Sequence, residues 1–194
     1  MLLNNILKEK HLILASGSPR RQHFLHELGL DFEIQLKEVE EIFPKELKET
    51  QITDFLAKLK ASPFKNNLNK KDILITADTI VWLENKAIGK PKNAEDAKRI
   101  LTNLSGKTHK VMSSICITSL KKQVITNDTT LVKFKTLSQE EIIYYIDKYQ
   151  PFDKAGSYGI QEWIGYIGIE KIEGSFFNVM GLPTHKLHQE LLTF

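Results

Sequence analysis

The sequence predicts a mixed α/β fold with a cleft, not a purely parallel sheet. Apolar, strand-like runs alternate with segments of helical periodicity along all 194 residues. Two long runs rich in Val, Ile and Thr, Lys107–Leu120 and Gln123–Leu137, meet at a Lys121–Lys122 turn and make a central hairpin. The run LILASGSPRR, Leu12–Arg21, passes from an apolar strand through a small-residue turn into Ser18-Pro19-Arg20-Arg21, a helix start. No internal repeat or low-complexity tract interrupts this order.

The elements follow in sequence. Ser18 stands where an N-cap stands, Pro19 suits the first helical position, and the helix runs near Arg20–Leu28 with Gly29 as its C-terminal cap. Phe32–Leu36 reads as a second strand, followed by acidic residues at Glu38, Glu40 and Glu41. Thr53–Ala61 has helical spacing with Thr53 as cap, and Ser62-Pro63 ends it. Ile73–Ala77 is a continuous apolar strand that places Asp78 at its C-terminal end, with Ile80–Leu83 still extended. A turn at Glu84-Asn85-Lys86 leads to Gly89-Lys90-Pro91. Asn93 then caps a helix to Leu104, with Glu95 and Asp96 in its first turn. After the hairpin, Ser138-Gln139-Glu140-Glu141 is a capping box that opens a helix to Tyr149. Pro151–Gln161 is a glycine-bearing loop. Tyr166–Ile172 and Phe176–Val179 read as short strands, and Thr184–Leu192 as a closing helix.

Composition narrows the function. The chain is 41% hydrophobic and 26% charged, which suits one large domain spanning 1–194 or two small lobes sharing a cleft. A net charge of +3 is too mild to indicate nucleic acid or a membrane surface. No run is apolar enough to span a bilayer, and MLLNNILKEKH is too polar for a secretory signal, so a soluble cytoplasmic protein is expected. The single cysteine, Cys116, sits in an alternating run and reads as a buried strand residue.

Several residues carry candidate chemistry. Free N–H groups at a helix start attract anions, and an arginine fork matches phosphate oxygens in pairs. Arg20 and Arg21 oppose the helix dipole unless a negative group such as phosphate lies between; arginines there also point into water. The loop fits neither the Walker nor the dinucleotide glycine pattern. Asp78, at a strand end, reads as a catalytic carboxylate or as a cap. Glu40-Glu41 reads as metal ligand or solvated face, since Mg²⁺ needs only one or two carboxylates plus phosphate oxygens. Lys60 and Lys90 are further cations, Lys90 held between Gly89 and Pro91. The loop Asp153–Gln161 is dense in hydrogen-bonding groups. His185 and His188 are assigned to the surface. These residues together suit an enzyme acting on a phosphorylated small molecule.

Seven segments in order resemble the Maf family of nucleoside triphosphate pyrophosphatases: LASGSPRR, LAKLKA (56–61), ADTIV (77–81), GKP (89–91), LSGKTHKVMS (104–113), DKAGSYGIQ (153–161) and GSFFNVMGLP (174–183). The resemblance implies an inosine-triphosphatase-like fold, a mixed, curved sheet with flanking helices and a deep cleft between two lobes. It implies hydrolysis of a nucleoside triphosphate to monophosphate and pyrophosphate, assisted by a divalent cation, Mg²⁺ or Mn²⁺. It makes Asp78 the catalytic carboxylate and, with Glu41, a metal ligand. Ser16, Ser18, Arg20, Arg21, Lys60 and Lys90 become substrate-binding residues. Arg20, Thr79 and Gln161 match the positions tied to base preference, in the form of the subgroup that takes dTTP and UTP. Next to cations Asp78 is expected to have a lowered pKa, which favours orienting a metal-activated water over acting as a strong free base. The implied partner is the nucleotide, without nucleic acid or membrane, and a homodimer stays open. The family's pyrophosphatase activity implies nucleotide-pool cleaning; its link to septum formation gives the competing reading, a non-enzymatic regulator that arrests cell division.

Overall fold

The computed structural model describes residues 3–194. In chain order the elements are α1 (Leu3–Leu7), β1 (His11–Leu14), α2 (Pro19–Glu27), β2 (Phe32–Ile34), α3 (Thr50–Ala61), β3 (Asp72–Leu83), β4 (Lys86–Ile88), α4 (Ala94–Leu104), β5 (Thr108–Thr118), β6 (Gln123–Phe134), α5 (Gln139–Tyr149), α6 (Trp163–Gly168), β7 (Ile169–Glu173), α7 (Phe176–Val179) and α8 (Thr184–Thr193). Short 3₁₀ segments lie at Ser62–Asn67 and Ala155–Ser157.

The strands form one mixed sheet, ordered β2-β1-β3-β5-β6-β7, with β4 paired to β3. β1 runs parallel to β2, with Ile13 opposite Glu33, and to β3, with Ile13 opposite Leu74. β4 pairs antiparallel with β3, Ala87 opposite Trp82, and β7 antiparallel with β6, Ile172 opposite Val132. Helices flank this sheet, so the fold is the mixed α/β arrangement the alternation predicts.

By its contacts the chain divides into two compact units. One comprises the chain up to Asp78, with Ser113–Asp128 and Gly181–Phe194; the other comprises Thr79–Met112 and Thr129–Met180. Each has its own core. In the first, Ile13, Ala57, Ala61, Phe64, Leu74 and Cys116 pack together, which puts the cysteine at the buried strand position expected of it. In the second, the apolar face of α4 (Ala97, Ile100, Leu101, Leu104) packs with Phe134, Ile142, Tyr145 and Tyr158.

Local signals behave as their chemistry requires. The Asn93 side chain accepts from Asp96 N at 2.9 Å, and both halves of the Ser138–Glu141 capping box are made. Glu84 and Asn85 turn the β3–β4 hairpin with φ of 50° and 61°. Elsewhere tertiary contacts override propensity. The second strand stops at Ile34, before the expected Leu36. The third helix starts at Thr50, and Thr53 is no cap; its hydroxyl points inward to Ser114 Oγ at 2.6 Å. Of the expected strand Tyr166–Ile172, residues 169–172 are extended in β7, but residues 166–168 belong to α6, where Gly165 packs so close to the Ile160 carbonyl that a Cβ would come within 1.8 Å. Phe176–Val179 is helical too: Ser175 caps it, and Asn178 Nδ2 donates to Val111 O at 3.0 Å and Thr130 Oγ1 at 2.9 Å.

One buried group in the second unit predicts a pH dependence. His109 is 2% exposed, hydrogen-bonded to Tyr158 Oη at 2.7 Å and packed against the Phe134 and Tyr158 rings. Burial pushes its pKa down to about 4. Above the unfolded value, near 6.5, the imidazole is neutral in both states. As pH falls from there towards about 4 only the unfolded chain takes up the proton, so stability is lost across that window, by about 3 kcal/mol. Urea unfolding of wild type and His109→Gln at pH 7 and pH 4.5 measures it. A wild-type loss no larger than the variant's rules the cause out.

Candidate active site

The site starts where β1 ends. Ala15 N still donates to Ile75 O at 3.0 Å, and then Ser16-Gly17-Ser18 turns the chain into α2. Ser16 is buried, and its Oγ accepts from Ser18 N and from Arg21 Nη1, both at 3.3 Å. Gln22 Nε2 donates to Ser16 O at 3.3 Å. Ser18 occupies the N-cap position with extended backbone and Pro19 follows, as expected, but the Ser18 side chain makes no capping bond. The first turn of α2 thus keeps its amides uncapped by that hydroxyl.

Arg21 holds this loop in place. Its Nε donates to Gly181 O and its Nη1 to Ala77 O, each at 2.9 Å. One planar fork ties α2 to β3 and to the Gly181-Leu182-Pro183 segment. Burial pulls the Arg21 pKa down, while Asp78 and Glu41 pull it back up and Arg20 adds to the lowering; the guanidinium stays charged. The carbonyls of Ala77 and Gly181 escaped the sequence reading, which marks side chains. The only hint was the GLP motif at 181–183, where Gly181 adopts φ 109°.

Asp78 is not at a strand end. It sits inside the twelve-residue β3, buried at 5% exposure, because the extended run continues to Leu83. The parallel partner supplies what the strand end was expected to supply: β1 pairs with β3 only as far as Leu14 opposite Ile75. Past that point β1's chain has turned away into the Ser16–Ser18 loop, leaving Asp78 beside it. Lys60, on the last turn of α3, reaches Asp78 Oδ1 at 2.6 Å and Glu41 Oε1 at 3.1 Å. Ser16, Arg21, Glu41, Lys60 and Asp78 are therefore gathered in the first unit, with Arg20 partly exposed on α2.

The electrostatics correct a second expectation. Burial raises the Asp78 pKa above the ordinary carboxylate value; Lys60 and Arg21 pull it down, Glu41 adds to the rise, and burial is the larger effect. A carboxylate in this state is a readier proton acceptor than one held down by its cations.

The remaining expected residues lie in the second unit. Thr79 follows Asp78 along β3 and is partly exposed. Lys90 is exposed on the rim of a groove of about 670 Å³ lined also by Leu83, Lys86, Ile88, Arg99 and Lys107. Gln161 closes the glycine-bearing loop. That loop is braced by its neighbour: Glu162 accepts from the Tyr145 hydroxyl and pairs with Lys154 at 3.1 Å, while Gly159 N donates to Tyr145 Oη at 2.9 Å. Gly156, at φ 73°, lets the loop pass Val81, where a Cβ would lie 2.7 Å from a methyl.

Glu41 and Asp78 are oxygen donors of the kind a hard divalent cation takes, and the Lys60 ammonium bridges them. Among the described residues no group of three or more His, Cys, Asp or Glu could hold a metal alone. Two carboxylates completed by phosphate oxygens are the usual protein share for Mg²⁺. His185 is half exposed and lies 3.7 Å from Asp128, consistent with its surface assignment. Among the described residues no helix is long and apolar enough to cross a membrane.

The protein is thus of the mixed α/β class, with a buried carboxylate, a lysine bridging two carboxylates and an arginine-anchored loop at a helix start. The chain belongs to the Maf family: the family model described as Maf-like protein matches residues 11–194. It is 55% identical over 192 residues to a protein of Flavobacterium johnsoniae named dTTP/UTP pyrophosphatase, covering 99% of both chains. A protein of the same name from Flavobacterium psychrophilum is 56% identical over 191 residues, covering 98% of both. The solved structure of the Staphylococcus aureus Ham1 protein shares the fold, with a TM-score of 0.52 at 17% identity, covering 93% of this chain and 100% of that one.

Proposed function

We propose that this protein hydrolyses dTTP and UTP to the nucleoside monophosphate and pyrophosphate. The observation that carries the proposal is the convergence of Asp78, Lys60 and Glu41 beside the Arg21-anchored loop, in a chain 55% identical to a dTTP/UTP pyrophosphatase along 99% of its length. In this reaction a water oxygen attacks the α-phosphorus. The bond from that phosphorus to the α–β bridging oxygen breaks, and pyrophosphate leaves with the bridging oxygen. Asp78 orients the water and accepts its proton. Lys60, Arg20 and Lys90 bring positive charge to the phosphates, and Ser16 and Ser18 line the loop that receives them. Arg21, engaged with two carbonyls, gives that loop its shape and adds its charge. Glu41 and Asp78 would hold Mg²⁺ or Mn²⁺, which supplies charge neutralisation when bound. The substrate is a free cytoplasmic nucleotide, and the role is cleaning of the nucleotide pool.

Base selectivity rests on Gln161, with Arg20 and Thr79. An amide offers an acceptor and a donor side by side, matching the N3–H and a carbonyl of uracil or thymine. Cytosine inverts that pattern and, against an amide held in the orientation that suits uracil, leaves groups unpaired at about 1–3 kcal/mol each, roughly 10- to 100-fold in rate. Thymine and uracil differ by one methyl and are discriminated weakly. The bracing of the loop by Glu162 leaves Gln161 outside that network. The test is kcat/KM for dTTP, UTP, CTP and GTP with Mg²⁺, in wild type and Gln161→Glu. The expected result is a preference for the first two in wild type that collapses in the variant. Equal rates on all four overturn the base preference. No turnover of any overturns the enzymatic reading in favour of a regulator.

A further inference from the structure

Lys60 reaches Asp78 from a helix, along four rotatable bonds, so their contact depends on where α3 lies along β3. That placement is set by a polar seam on an otherwise apolar helix face. Thr53, Ala57 and Lys60 recur at spacings of four and three, one stripe of α3. Each faces a polar partner on the sheet. The Thr53 hydroxyl meets Ser114 Oγ at 2.6 Å, and that serine also donates to Asp54 Oδ1 at 2.6 Å. Asn127 Nδ2 holds the two Asp54 oxygens at 3.1 and 3.0 Å. The Ala57 carbonyl accepts from Thr76 Oγ1 at 2.6 Å. Lys60 then meets Asp78 at 2.6 Å. Thr53, Ser114 and Thr76 are all fully buried.

The last two contacts follow one another along both elements. Thr76 and Asp78 are two apart on β3, on one face and roughly 6.6 Å along the strand. Ala57 and Lys60 are three apart on α3, about 4.5 Å along the helix. A helix carbonyl already takes its own i+4 amide, so the fold does not need the Thr76 hydroxyl to satisfy Ala57. What that bond adds is a stop against sliding, one turn from the reacting centre.

We infer that Thr76 is a positioning residue that sets the axial register of α3 on β3 and thereby holds the Lys60 ammonium on Asp78, with Ser114 as the second stop one turn earlier. The inference rests on the reading of Asp78 and Lys60 as the reacting centre. Thr76→Val keeps the branched shape and removes the hydroxyl; Thr76→Ser keeps the hydroxyl. A misplaced functional group of this kind costs roughly 10-fold or more in rate. Thr76→Val should therefore lower kcat on dTTP about 10-fold with KM little changed, and Thr76→Ser should recover it to within about twofold. In a Lys60→Met background Thr76→Val should have almost no further effect, since there is no ammonium left to place. Ser114→Ala, read in the same two backgrounds, gives a smaller loss with the same dependence on Lys60, and serves should Thr76→Val not fold. Wild-type kcat in a folded Thr76→Val protein, or an equal fold-loss in both backgrounds, overturns the positioning role alone. Wild-type turnover by Lys60→Met overturns the reading of the centre and the positioning role with it.

Discussion

Asp78→Asn should lower kcat on dTTP by at least 100-fold while the melting temperature stays level or rises. The carboxylate lies at 5% exposure, and burial has lifted its pKa, so folding carries the cost of hiding a charge there. Asparagine has the same outline and no charge to hide. Lys60, released from Asp78, keeps Glu41 at 3.1 Å and is only partly buried. Stability therefore does not suffer, but the group that orients water and takes its proton is gone, and general-base assistance alone is commonly worth about 10²-fold or more. Steady-state kinetics and thermal unfolding on one preparation decide the matter. A variant that keeps more than about a tenth of the rate removes Asp78 from the chemistry.

Lys60→Met should act with the opposite sign on stability. Removing a charge-assisted contact of this kind costs roughly 1.5–3 kcal/mol, or about 10- to 150-fold in kcat/KM. Here the loss also strands Asp78, buried with its raised pKa and without its 2.6 Å partner, so the melting temperature falls. The double variant Lys60→Met/Asp78→Asn has no buried charge to strand and should recover the lost stability without recovering activity. Simple addition of the two single effects on stability would show that the pair is not coupled, and that Lys60 acts through Glu41 alone.

Much of this molecule is legible locally. Asn93, the Ser138–Glu141 box, the Glu84-Asn85 turn and the β5–β6 hairpin all depend on neighbours within a few residues, and the structure has them where their chemistry puts them. Tyr166–Ile172 and Phe176–Val179 look β-prone alone; residues 169–172 are indeed a strand, whereas residues 166–168 and Phe176–Val179 are helical. Those segments meet distant chain: Gly165 packs closely on Ile160, and Asn178 donates to Val111 and Thr130. Thr53 was misread for the same reason, since a hydroxyl near a helix start signals a cap until a distant Ser114 claims it.

The sequence by itself determined the order of elements, the family through its seven ordered motifs, and the residue types available to a site: one aspartate on an apolar strand, two arginines at a helix start, and a lysine at a helix end. Only the tertiary structure decided how those residues act. It put Asp78 in mid-strand, next to where β1's chain turns away, and buried it deeply enough to reverse the expected direction of its pKa. It turned Arg21 from a free anion-binding fork into one tied to the carbonyls of Ala77 and Gly181, and it laid Lys60 between Glu41 and Asp78. The physical reason is range. Caps, turns and periodicity are settled within one or two turns of chain, whereas desolvation and ion pairing depend on which distant segments close over a group.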